Sequence, residues 1–280
     1  MSMKALLSGA AVAAIVSIAA AQASAITLKV TVTNIAPTGG TYLTPIWVGF
    51  HNGSFDSYDG AAASAPELEA LAEDGNTAPI SGVFGADGTL VATGIAQTGN
   101  RVQATLGGLL APGASTMGTF TVDTTGANQY LSYASMVLPT SDYYVANGNP
   151  LAHDLSGLTV GDISSFFIGA PGTVNDAGTE VNDFATSAGN PLFPGIGLPP
   201  GQTGPNQGAD ENGVNTAVSA PFANFLNQPS GGVPSELNFN NYQDGIARVD
   251  VEAVPLPAPI AMMGAVMVGA GLLAHRKRRT

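Results

Sequence analysis

The sequence predicts an all-β protein, an antiparallel β-sandwich with long loops and one short helix. Three observations carry this expectation. Short runs alternate apolar and polar residues, Gly, Pro and Asn punctuate them, and only one stretch of the body has helical spacing. Residues 26–34 read ITLKVTVTN, with Ile26, Leu28, Val30 and Val32 on one face and Thr27, Lys29, Thr31 and Thr33 on the other. A period of two marks a strand buried on one side. Further strands are expected at 46–50, 90–96, 101–106, 118–122, 130–138, 165–168 and 246–252. Trp47, the only tryptophan, is expected in the core or at its rim. The helix is expected over 65–73 (APELEALAE), with Ser64 as its N-cap, Pro66 in the first turn, and a stop at Asp74-Gly75-Asn76. Residues 185–234, rich in Gly, Pro, Asn and Gln, read as a long excursion before the last strand rather than a second domain.

The two ends of the chain differ from the body. After Lys4 an unbroken small and apolar run leads to Ala23-Ser24-Ala25, which reads as a secretory signal peptide over 1–25. At the other end Val254-Pro255-Leu256-Pro257-Ala258 precedes an apolar stretch and the basic close His275-Arg276-Lys277-Arg278-Arg279. An apolar span of roughly 17–19 residues just suffices as a transmembrane helix, with the basic tail on the cytoplasmic side. This VPLPA motif, span and Arg-rich end, over 254–280, resembles a PEP-CTERM sorting signal. The resemblance implies processing by an exosortase-type enzyme in a Gram-negative bacterial type of cell, with transient contact with the inner membrane; a permanent anchor is the other reading.

All twenty Asp and Glu lie between Ile26 and Glu252, with only Lys29, Arg101 and Arg248 as cations there, which leaves the body near −17. A surface so acidic cannot neutralise a phosphate backbone, so nucleic acid is excluded as a partner, and cations or cationic surfaces are favoured. With no cysteine, the fold cannot rely on disulfides even in an oxidising compartment.

Within the body, His51–Asp56 (HNGSFD) and Leu68–Gly75 (LEALAEDG) stand at a spacing that resembles the spondin N-terminal domain family, the F-spondin and mindin-like modules. Ser135-Met136-Val137, the segment 139–145 (PTSDYYV), Asp176–Glu180 (DAGTE) and Ile246–Val249 are similar to later parts of the same family pattern, so the resemblance spans 26–253. It implies a C2-like sandwich acting in adhesion with a bound divalent ion, calcium (Ca2+), and the carried-over metal ligands are Asp142, Asp176 and Glu180. The chemistry is consistent: calcium takes six to eight oxygens, and Asp176 and Glu180 flank Gly178 in what reads as a tight turn. Spacing alone would equally describe an acidic turn in solvent. Where the animal modules carry an acidic stretch and a cysteine, this chain has 147–154 (NGNPLAHD), so Asp154 is either an extra ligand or a solvated loop carboxylate.

Catalytic patterns are scarce. The body has only His51 and His153 as histidines, no Gly-x-Ser-x-Gly elbow and no phosphate loop ending in lysine. His51 stands near Ser54 and Asp56 in sequence, but a hydrogen-bonded strand end is the simpler reading. No catalytic residue is assigned and the chain is expected to be no enzyme. The expected function is an exported, secreted or cell-surface adhesion and binding protein, with extracellular polysaccharide or a matrix or cell-surface protein as partner. A secreted hydrolase acting on matrix polysaccharide and a structural matrix subunit are the alternatives.

Overall fold

The computed structural model describes residues 25–85, 90–91, 101–180, 210–218 and 235–255. Among them are strands β1 (Ala25–Asn34), β2 (Tyr42–Leu43) and β3 (Ile46–His51), then helices α1 (Pro66–Asp74) and α2 (Ala78–Gly85). The strands β4 (Leu90–Val91), β5 (Val102–Leu106), β6 (Ser115–Asp123), β7 (Tyr130–Leu138) and β8 (Tyr143–Ala146) follow. They are succeeded by β9 (Ile163–Ile168), β10 (Asn175–Asp176), β11 (Thr216–Ala217) and β12 (Ala247–Val254). One sheet has the order β6-β1-β12-β9 and the other β11-β10-β8-β7-β3-β5-β4, with β2 pairing on β7. Every pairing among the described strands is antiparallel except β4 with β5. This is the all-β sandwich that the alternating runs predict.

The period of two in β1 sets the layering. Leu28, Val30 and Val32 are fully buried and face Val48, Phe50, Val102 and Leu131 of the other sheet in one apolar core. Phe50 and Phe120 meet across the layers at 4.8 Å between ring centroids. The outer face of the larger sheet is buried as well. Trp47, Ala134, Tyr144 and Ala146 pack there against Leu68, Leu71, Ile80 and Phe84 of the two helices. Trp47 is therefore core, as expected, and its Nε1 donates to Gln103 Oε1 at 2.7 Å while Gln103 Nε2 donates to the Ser81 carbonyl at 2.9 Å.

Helix α1 ends as its sequence predicts. Gly75 takes the left-handed conformation (φ 65°), and its amide and that of Asn76 bond the carbonyls of Leu71 and Ala70. Its start differs: Ala65 is the N-cap and no side chain caps it, because the Ser64 hydroxyl is used elsewhere. The second helix corrects the expectation of a single one. At eight residues it is too short to show a helical period, yet Ile80 and Phe84, four apart, are both buried.

No helix among the described residues is long and apolar enough to cross a membrane. The signal segment up to Ser24, the sorting segment beyond Pro255 and the part of the expected strand beyond Val91 lie outside the described residues. The two ends of the described body lie side by side: Thr27 of β1 pairs with Val254 of β12, so the body begins and finishes at the same end of the two central strands of that sheet.

Gly49, in the middle of β3, lies under the Trp47 and Phe84 rings, where an added Cβ would come within 2.6 and 2.8 Å of them. Both rings are wedged in the core and cannot yield. Gly49→Ala is expected to cost about 1–3 kcal/mol, read from urea or guanidinium unfolding.

Candidate functional site

Strand β7 runs out of the core at Leu138, passes a cis peptide to Pro139, and returns as β8 after Thr140, Ser141 and Asp142. Thr140 fixes this turn: its hydroxyl donates to the Val137 carbonyl and accepts from the Tyr143 amide at 3.1 Å. Asp142 is thereby held fully buried beside β10. Its backbone carbonyl accepts from the Ala177 amide at 3.1 Å. Its Oδ2 accepts from the amides of Thr179 at 2.9 Å and Glu180 at 3.1 Å, and from Thr179 Oγ1 at 3.3 Å.

The DAGTE segment supplies those donors because Gly178 turns the chain at φ 66°. Asp176 Oδ1 accepts from the Gly178 amide at 2.8 Å, an Asx-type turn that points Thr179 and Glu180 back at Asp142. The structure thus brings Asp142, Asp176 and Glu180 to one corner. Glu180 is buried, forms a bridge with Asp210, and the Glu211 amide bonds the Thr179 carbonyl at 2.9 Å.

This corner is electrostatically loaded. Burial first, then the charges of Asp176 and Glu180, push the Asp142 carboxyl well above the ordinary carboxylate range, against the pull of the Glu180 and Thr179 amides. Burial and Asp176 also raise Glu211. Burial raises Glu73, with Glu69, Asp74 and Asp210 adding to it, although the Thr179 side chain bonds it and pulls the other way. The body's cations are engaged elsewhere. Lys29 pairs with Glu252 and Arg248 with Asp250. Arg101 donates to the Phe84 carbonyl and Ser54 Oγ and lies over the rings of Phe84 and Phe55.

The donor chemistry of the corner, hard carboxylate oxygens in excess of cations, suits calcium. Its closure around one point is not preformed: among the described residues no group of three or more His, Asp or Glu is placed to hold a metal ion. Part of the reason is visible at Asp142, whose Oδ2 is already taken by three donors.

Asp154 does not join this corner. It is exposed, bridges to Tyr130 at the opposite end of β7, and accepts from the Ser156 amide at 2.8 Å. It is the solvated loop carboxylate. His51 likewise forms no triad with Ser54 and Asp56. Its Nδ1 accepts from the Gly53 amide at 2.9 Å, so the neutral ring carries its proton on Nε2, which donates to Ser132 Oγ at 2.8 Å. Asn147 Nδ2 donates to the same hydroxyl at 3.1 Å.

One residue of this region has no counterpart among the expected site residues. Asn215, from the 185–234 excursion, is buried beneath the loop that precedes α1. Its Oδ1 accepts from Ser64 Oγ at 2.8 Å and Tyr144 Oη at 2.9 Å, and its Nδ2 donates to the Ala62 carbonyl at 2.9 Å. Ser64 Oγ is also within 2.9 Å of the Ala177 carbonyl, which ties this hub to the DAGTE turn. A polar cleft of about 200 Å³ opens beside it, lined by Asp56, Tyr58, Asp59 and Glu67 among others. No local pattern marks Asn215, since its side-chain partners are 71–156 residues away.

No protein-family model matches the chain, and no curated protein matches it.

Two measurements probe these arrangements. A Cβ on Gly178 would meet the backbone of Val214 at 2.6 Å, so Gly178→Ala is expected to displace the 210–215 segment. The variant should lose about 2–4 kcal/mol in chemical unfolding, from strain at a positive φ and broken contacts together. The second concerns pH. Burial and then the Arg101 charge lower His51 from 6.5 to about 4, and burial lowers His153 to about 4, where it stacks on Phe166. The unfolded chain therefore takes up these protons first, so their contribution is intact above pH 6.5 and is lost as pH falls from 6.5 towards 4. For His51 that amounts to about 3 kcal/mol. Replacing both histidines by glutamine should flatten the loss of stability in this window relative to the unmodified protein.

Proposed function

We propose that the protein is an exported, cell-surface or extracellular-matrix adhesion and binding module whose sandwich is stabilised by calcium at Asp142, Asp176 and Glu180. The observation that carries this is the acidic corner itself: the buried Asp142 lies under the charges of Asp176 and Glu180, with Glu73, Asp210 and Glu211 close by, while the body's cations are engaged elsewhere. A divalent ion would supply the missing positive charge, and it would tie the β7–β8 turn to the DAGTE turn. The HNGSFD, LEALAEDG and DAGTE segments support kinship with spondin N-terminal domains. Both histidines sit in packed or hydrogen-bonded settings, which favours binding over catalysis.

The two poles of the sandwich support a display role. Both ends of the body leave beside Thr27 and Val254. At the other end of β1, Asn34 Nδ2 donates to the carbonyls of Thr41 and Leu110, and next to them Tyr42 pairs with Leu138 at the mouth of the Asp142 turn. A chain exported by its signal peptide and held briefly at the inner membrane by its VPLPA segment would carry the acidic corner at the far pole. Polysaccharide, matrix proteins or another cell surface are the partners such a pole would meet.

Calcium at a hundred times its dissociation constant should raise the unfolding free energy by about 2.7 kcal/mol, reversed by chelator. Asp142→Asn should keep the fold and abolish that response. Unchanged melting with calcium and with chelator would contradict the metal assignment. Retention on immobilised matrix polysaccharide or protein, lost with chelator, tests the binding role.

A further inference from the structure

Strand β9 is the outer strand of its sheet and pairs only with β12 among the described strands. The Ala253 amide bonds the Asp162 carbonyl at 2.9 Å, one step before the strand. Antiparallel alternation then turns the backbone groups of Ser164, Phe166 and Ile168 towards β12, and those of Ile163, Ser165 and Phe167 towards the open edge. Natural sheets blunt such edges with charge, proline or a bulge. The strand sequence ISSFFI contains neither charge nor proline, and its ladder to β12 is unbroken from Ile163 to Ile168. Ile163 is 59% exposed and Phe167 49% exposed, on the outer face either side of Ser165.

We propose that β9 pairs antiparallel with β9 of a second copy of this chain, about a two-fold axis at Ser165, joining the two four-stranded sheets into one. The register follows from the edge. Centring the pair on Ser165 sets Ile163 opposite the partner's Phe167, and Phe167 opposite the partner's Ile163. All three edge-facing residues then become hydrogen-bonded pairs, and both exposed apolar side chains gain an apolar neighbour on the same face. A register shifted by two residues leaves large apolar side chains without a partner.

A second copy fits this edge better than an unrelated strand because the edge is self-complementary and locally neutral. Ser165 Oγ donates to Asp250, and Arg248 Nε donates to the same carboxylate at 2.9 Å, so the charges next to the axis cancel within each copy. Elsewhere the two bodies repel through their acidic surfaces. Salt screens that repulsion, so the association should tighten as ionic strength rises, opposite to an interface built on ion pairs.

The absence of cysteine makes the test direct. Ser165→Cys introduces a single thiol, which across a hydrogen-bonded antiparallel pair faces its mate at about 5.5 Å between Cα atoms, within disulfide range. Under mild oxidation this variant should form a covalent dimer, while Thr119→Cys, exposed on the opposite edge strand β6, should not. Sedimentation velocity of the purified protein should show a dimer that strengthens with salt. Ser165→Pro, compared with Ser165→Ala so that the lost hydroxyl bond to Asp250 cancels, removes an amide donor that faces only the open edge, and Phe167→Lys places a charge there. Each should weaken dimerisation about tenfold or more without changing circular dichroism or the monomer's melting. A monomer at all concentrations, or equal cross-linking of the two cysteine variants, would overturn the proposal. So would a Ser165→Pro variant that melts earlier with no change in association, since a segment of the same chain would then cover the edge.

Discussion

The buried carboxylate of Asp142 is the constraint on which the acidic pole of this protein depends. An ionised carboxylate taken out of water needs compensation, and here the three cations of the body are used at other places. Two backbone amides and a hydroxyl from Thr179 and Glu180 provide it. Those donors exist only while the DAGTE turn is closed, and the turn closes only because Gly178 accepts a left-handed backbone with Val214 packed against it. One interaction thus links β8, β10 and the 210–218 segment. Because Asp176 and Glu180 arrive with the donors, the same closure that stabilises Asp142 also crowds it with negative charge.

The sandwich isolates this pole from the chain ends. Strand β1 spans the distance, entering beside Val254 and ending at Asn34, whose side chain fastens the neighbouring loops. The second sheet is buried on both faces, by the first sheet on one and by the helices on the other. That gives β7 and β8 a rigid setting, so the loop between them is defined by packing rather than by disulfides. The smaller sheet has the opposite character: one face is core and the other is a row of Thr, Ser and paired charges, interrupted by Met117, Ile163 and Phe167.

What could be read in the sequence follows from how local each signal is. The strands were legible because burial on one side writes itself as alternation, as in ITLKVTVTN. The end of α1 was legible because Gly75 is a local requirement. The start was not, since Ser64 spends its hydroxyl on Ala177 and Asn215 rather than on the helix, and both are distant in sequence. Asp142, Asp176 and Glu180 lie at one corner without forming a preassembled ligand set, and the groups that hold Asp142 are mainly backbone amides, which no residue identity announces. Asn215 was hidden for the same reason as Ser64, because a hub joined to residues 59–64 and 144 leaves no trace in its own neighbourhood.

Amide hydrogen exchange at Thr179 and Glu180, with and without calcium, tests the closure of this corner most directly. If the amides are held on a buried Asp142 carboxylate that a divalent ion reinforces, both exchange far more slowly than solvent-exposed loop amides without metal, and more slowly still with calcium. Exchange of both at the rate of exposed loops, unaltered by calcium, would contradict it.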